Sequence, residues 1–76
     1  MSGLVKRSVT LAGHRTSVAL EAEFWAALAN LAAARGLALV ALIATIDAAR
    51  DPTRPLASAL RVFVVQALGA RENGLQ

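Results

Sequence analysis

The sequence predicts a mainly α-helical fold with one short β-strand, completed by a second copy of the chain. Three observations support this fold class. Side chains of residues 14–20 alternate between apolar and polar, which is the period of a strand. Apolar residues then recur every three or four positions in three stretches, which is the period of a helix. Gly36 separates the first two stretches, and the proline-containing segment 51–55 separates the last two.

The composition indicates one domain, residues 1–76, that associates with itself. A chain of this length buries only about 60% of the surface that it exposes when unfolded. Here 57% of the residues are hydrophobic, which is more apolar surface than one small core can hide. We therefore expect a homodimer or a higher oligomer.

Several classes of protein are disfavoured. The chain has no cysteine and one histidine, so we expect neither a metal site nor a cofactor. It has no nucleophile with a base at usable spacing and no Gly-rich phosphate loop, so we do not expect an enzyme.

The longest apolar run, residues 37–46, is about half the length of a membrane span. No apolar run of signal-peptide length is present near the start, and a cytoplasmic protein without membrane contact is expected.

Charge is distributed unevenly along the chain. The net charge is +3, and every acidic residue follows the predicted strand. Lys6, Arg7, His14 and Arg15 precede the strand or lie on it. The positive field is therefore concentrated at the N-terminal end, which favours an anionic partner.

The first 13 residues have two interpretations. Residues 6–11 alternate as a strand does, and Ala12-Gly13 could form a two-residue turn that places Thr10 opposite Arg15 and Ser8 opposite Ser17. Alanine is a poor residue for the positive φ that such a turn requires. We therefore favour a mobile basic arm over residues 1–13, and the hairpin is the alternative.

The three helices follow in order. The first is predicted over residues 22–34 and ends at Gly36, and the second over residues 39–49 folds back on it. Two prolines make residues 51–55 a linker. A third helix over residues 56–71 is apolar around much of its circumference, which is typical of a helix buried on more than one side. Arg61 on this helix either extends to solvent or pairs with Glu21, Glu23 or Asp47 across the dimer.

This order resembles the ribbon-helix-helix family of DNA-binding proteins. The resemblance covers residues 15–46 and consists of Arg15-x-Ser17-x-Ala19-Leu20, the apolar helix positions and Gly36-Leu37-Ala38. The segment Lys6-Arg7-Ser8-Val9-Thr10 and the third helix resemble a small bacterial subgroup of that family. The resemblance implies a two-fold dimer with one strand from each copy in an antiparallel ribbon, over interlocked helices. The implied dimer core comprises Val18, Leu20, Phe24, Trp25, Leu28, Leu42, Ile43 and Ile46.

The resemblance also implies double-stranded DNA as the partner and transcriptional regulation, such as repression, as the role. Arg15 and Ser17 would contact base edges in the major groove, and Ala19 would offer only apolar contact. Backbone groups at the start of the second helix would hold a phosphate, where Ala38 replaces the usual capping hydroxyl. The implied DNA-binding residues are Lys6, Arg7, His14, Arg15, Ser17, Ala19, Ala38 and Leu39.

Two rival functions and one conflict stay open at this point. The dimer could serve as an antitoxin whose third helix binds a protein partner, or as an oligomer without a nucleic-acid role. If the hairpin forms, the dimer would carry a four-stranded sheet that is too wide for the major groove. The outer strand would then have to detach, or the protein would not bind DNA as the family does.

Overall fold

A two-stranded antiparallel sheet packs against three helices. The structure is a computed structural model, and it describes residues 3–74. The helices α1 and α2 have the predicted bounds, and α3 extends three residues beyond the predicted end, to Gly74. The elements in chain order are β1 (Val5–Leu11), β2 (His14–Leu20), α1 (Ala22–Ala34), α2 (Leu39–Ala49) and α3 (Leu56–Gly74).

The prediction of a single strand preceded by a mobile arm is wrong, and the hairpin alternative is confirmed. β1 pairs with β2 along all seven residues, with Thr10 opposite Arg15 and Ser8 opposite Ser17. The turn residues Ala12 and Gly13 have φ values of 51° and 81°, so both adopt the left-handed conformation of a type I′ turn. Alanine accepts this conformation at a cost of about 1–2 kcal/mol.

Contacts with the helices offset that cost. Leu11, the last residue of β1, is buried with 6% of its surface exposed. Near the other end of the strand, the Val5 carbonyl oxygen accepts a hydrogen bond of 2.8 Å from Trp25 Nε1 on α1. Burial of a leucine side chain stabilises by about 1.5–3 kcal/mol and a hydrogen bond adds about 1 kcal/mol. The turn forms because tertiary packing overrides the local preference of Ala12.

The end of α1 follows the prediction. Gly36 has φ 69°, which suits a glycine that closes a helix. The Gly36 N–H donates to the Ala33 carbonyl (3.0 Å), and the Leu37 N–H donates to the Ala32 carbonyl (2.9 Å). These two bonds satisfy carbonyls that the helix itself leaves unpaired, and the chain reverses into α2.

The linker between α2 and α3 is fixed by one carboxylate. Asp51 Oδ1 accepts hydrogen bonds from the Thr53 N–H (2.8 Å) and the Thr53 hydroxyl (2.7 Å). These bonds from Thr53 hold the pKa of Asp51 below its ordinary value. The segment is therefore an ordered turn that sets the direction in which α3 leaves.

One chain by itself buries most of the residues that were expected to form a dimer core. Of the eight, only Phe24 is half-buried, and the others have at most 8% of their surface exposed. Their burial therefore does not require a second chain, because the hairpin covers the helices. Among the described residues, six large apolar side chains stay exposed in the single chain: Leu4, Val5, Leu37, Val40, Val65 and Leu68.

The third helix is anchored to the body of the same chain. Leu60 and Val64 are buried against the core. Arg61 Nε donates to Glu21 Oε1 at 3.0 Å, so the ion pair with Glu21 forms within one chain and not across a dimer. The Glu21 carboxylate accepts a hydrogen bond from the Glu21 backbone N–H and another from the Arg61 side chain. These two hydrogen bonds hold the pKa of Glu21 below its ordinary value.

Within residues 3–74, no single helix is both long and apolar enough to cross a membrane. The helices α1 and α2 reach that length and composition only together, and they meet at a bend of 98°.

Candidate nucleic-acid interface

The hairpin has one face against the helices and one face outwards. Residues opposite each other in an antiparallel pair lie on the same face of the sheet. Val18 and Leu20 are buried on the helix side, so Arg15, Ser17 and Ala19 lie on the outer side, as the alternation of the sequence predicts. Arg15 and Ser17 are exposed, and Ala19 is half-buried.

β1 adds three polar side chains to that outer face. By the register of the hairpin, Lys6 lies opposite Ala19, Ser8 opposite Ser17 and Thr10 opposite Arg15. All three β1 residues are exposed. We name this set the outer sheet face, and none of its members is acidic: Lys6, Ser8, Thr10, Arg15, Ser17 and Ala19.

Ser8 and Thr10 are absent from the residues that the sequence alone singled out. Their signal was the alternation of residues 6–11, which has the same period as residues 14–20. That alternation becomes informative only when the register is known, because the register decides which side of β1 joins which side of β2.

Two of the residues expected to bind DNA lie on the other face of the sheet. Arg7 is opposite Val18, and its guanidinium carbon lies 4.9 Å from the centre of the Trp25 ring on α1. His14 is opposite Leu11 at the turn. Both side chains are exposed, but the pleat directs them away from the side that carries Arg15. Neither Arg7 nor His14 is therefore part of the outer sheet face.

The second edge of β2 has no partner strand among the described residues, since the sheet contains β1 and β2 alone. In a hairpin with a two-residue turn, the pair next to the turn exchanges both backbone hydrogen bonds, and bonded and non-bonded pairs then alternate. Leu11 and His14 form that first pair, so the Ser8–Ser17 pair is non-bonded. The backbone groups of Arg15, Ser17 and Ala19 consequently point to the free edge.

The first backbone N–H groups of α2 are not capped by a side chain. Ala38 is the residue before the helix, with φ −66° and ψ 151°, and no side chain accepts a hydrogen bond from the first turn. Ala38 is exposed and Leu39 is half-buried. These residues belong to the helical layer, so the structure does not place them on the outer sheet face.

The described part of the chain contains no group of three or more His, Cys, Asp or Glu side chains arranged to hold an ion.

One of three comparisons with known proteins gave a match. Searches among curated proteins and among solved structures gave no match. A family model described as a ribbon-helix-helix domain matches residues 4–68, and this span includes β1, β2, α1, α2 and most of α3. That family consists in general of DNA-binding transcription regulators and antitoxins. Because the match covers most of the chain, this protein belongs to the ribbon-helix-helix domain family.

Proposed function

We propose that this chain is a homodimeric, DNA-binding transcription regulator of the bacterial cytoplasm that contacts the major groove with the outer face of its sheet. The observation that carries the proposal is the composition of that face. It combines the cations Lys6 and Arg15 with three hydroxyl side chains and has no acidic residue. Arginine can donate two hydrogen bonds to one guanine, and lysine and threonine side chains can donate to phosphate oxygens.

Dimerisation supplies the second half of the DNA-contacting surface. The free edge of β2 is a row of unpaired backbone groups, which can be satisfied by a second copy of the same strand. Strand β2 spans seven residues with Ser17 at its centre, so full-length antiparallel pairing of two copies puts the two-fold axis at Ser17. The Ser17 backbone groups point to that edge, which is the requirement for a hydrogen-bonded pair.

Two proline variants test the dimer. Ser17→Pro removes the N–H that faces the free edge of β2, and we expect a monomer in a solution mass measurement. Ser8→Pro is the matched control, because it removes the outward N–H of the opposite residue, on β1. If Ser8→Pro dissociates the dimer and Ser17→Pro does not, the interface lies on β1 and the proposed axis is wrong.

DNA binding is tested with two arginine variants of equal charge change. After selection of bound fragments from a random DNA pool, Arg15→Ala is expected to weaken binding to the selected site by about 1–3 kcal/mol and to relax preference at one base pair. Arg7→Ala removes the same charge from the other face of the sheet and is expected to leave the preference intact. Equal effects of both variants would show that the outer sheet face does not select sequence.

A second function, as an antitoxin-type module that binds a protein partner, is favoured by one observation. Val65 and Leu68 on α3 are exposed, with 62% and 45% of their surface accessible, respectively. If α3 serves a protein partner, replacing both with Ser should abolish binding of that partner and leave DNA affinity unchanged. Leu60 and Val64 anchor the same helix, so we expect α3 to be protected from hydrogen exchange in the isolated protein. Such protection counts against a segment that orders only on a partner, whereas rapid exchange in α3 would favour the antitoxin function.

A further inference from the structure

The hairpin creates a geometric conflict for groove binding. A dimer joined through the two β2 strands has four strands, in the order β1, β2, β2, β1. Three inter-strand spacings separate the outermost strand axes by about 14 Å, whereas the major groove is about 12 Å wide. The whole sheet cannot enter the groove, so either β1 leaves the sheet on DNA or the sheet binds in another position.

The structure argues against detachment of β1. The strand is attached to the helices near both ends, through buried Leu11 and through the Val5 carbonyl that accepts from Trp25. Arg7 adds a third contact on the Trp25 ring. Detachment would expose Leu11, remove the acceptor of a part-buried indole N–H and break the ladder with β2. These losses would oppose DNA binding.

The side chains of the outer sheet face fit a sheet that rests on the rim of the groove better than a sheet inside it. β1 forms the flanks of the four-stranded sheet, and it carries Lys6 and Thr10 on this face. β2 forms the centre, where Arg15 is the one long polar side chain and Ser17 is short. The groove is about 8.5 Å deep, so a sheet that rests on its rim leaves only a long side chain able to reach the bases.

We propose that the hairpin stays intact on DNA and that the sheet lies across the mouth of the major groove. Lys6 of each β1 strand binds a phosphate on one flank, Thr10 lies further along the same flank, and Arg15 of each β2 strand extends into the groove to a base edge. Ser17 lies over the groove without contacting a base. This inference rests on the proposed function and specifies how that function is carried out.

A reversible disulfide tests whether β1 stays in place. The chain has no cysteine, so Val9→Cys combined with Thr16→Cys introduces one thiol on each strand, on the helix-facing side of the sheet. Position 16 lies off the two-fold axis and does not face its own copy, and a hydrogen-bonded pair such as Val9 and Thr16 has a Cα separation of about 5.5 Å, which is within the range of disulfides. We expect the oxidised and reduced forms to bind a selected DNA site equally, within about twofold. A loss of tenfold or more on oxidation alone would show that β1 must detach, and the inference would be overturned.

Salt dependence tests the role of Lys6. Each phosphate contact contributes about −0.9 to the slope of log K against log salt concentration. Lys6→Ala should therefore reduce the slope by about 1.8 for a dimer and leave base preference unchanged. Arg7→Ala, the control with the same charge loss, should leave the slope unchanged, and Ser17→Ala should leave the preference unchanged. An unaltered slope in Lys6→Ala, or altered preference in Ser17→Ala, contradicts the proposed position.

The outcomes separate this inference from the function on which it rests. If Arg15→Ala changes sequence preference but the oxidised disulfide form cannot bind, the protein binds DNA with β1 displaced, and only the inference fails. If the unmodified protein binds no DNA at low salt, both the inference and the proposed function fail.

Discussion

The most direct test of the hairpin is Leu11→Ala, because Leu11 contributes to the core only if β1 is ordered. Leu11 has 6% of its surface exposed and packs in the same core cluster as Val18 and Leu20. Truncation of a buried leucine costs about 2–5 kcal/mol, part of it from the cavity that is left. Leu11 adjoins an exposed turn at the margin of the core, so we expect the lower half of that range, about 2–3 kcal/mol.

The assay is urea denaturation at one fixed protein concentration, since the proposed dimerisation would make apparent stability depend on concentration. The control is Leu4→Ala, which removes the same atoms from a side chain that is 55% exposed. We expect its cost to stay within about 0.5 kcal/mol. If Leu11→Ala costs no more than Leu4→Ala, residues 5–11 are not packed on the helices and the reasoning about an intact hairpin is refuted.

Three further predictions concern the turn, the anchor of β1 and the pH dependence. Ala12→Gly should raise the free energy of unfolding by about 0.5–1 kcal/mol, because glycine adopts positive φ without strain, and an unchanged urea midpoint would count against the type I′ turn. Trp25→Phe should cost at least about 1 kcal/mol and accelerate hydrogen exchange in β1, since phenylalanine cannot donate to the Val5 carbonyl, and unchanged exchange would argue against this anchor. Glu21 has a lowered pKa when folded, so its stabilising contribution is present above its ordinary value of 4.5 and is lost as the pH falls through the folded pKa. Glu21→Gln should therefore lose less stability on acidification than the unmodified protein, and equal losses would contradict the stabilising role of the Glu21 carboxylate, whose pKa is lowered first by its own backbone N–H and then by Arg61.

The outer sheet face shows how far residue spacing can identify a candidate site. Alternation along residues 14–20 places Arg15 and Ser17 on the side opposite Val18, and the structure has the same arrangement. Positive charge alone was a poorer criterion for residues of the outer sheet face, because it grouped Arg7, which lies on the other face, with Lys6. Neighbouring residues on a strand point to opposite faces, so of these two cations only Lys6 lies beside Arg15.

The elements that the sequence by itself determined are those specified by local interactions. The period of apolar residues and the glycine at position 36 were sufficient to predict the bounds of α1 and α2, because helix amphipathicity and capping depend on residues within a few positions of each other. The tertiary structure decided whether residues 5–11 form a strand and whether one chain can close its own core. It also decided which acid pairs with Arg61, a residue 40 positions from Glu21. In each case the free energy comes from groups distant in sequence, such as Trp25 and Val5, whose proximity no local pattern specifies.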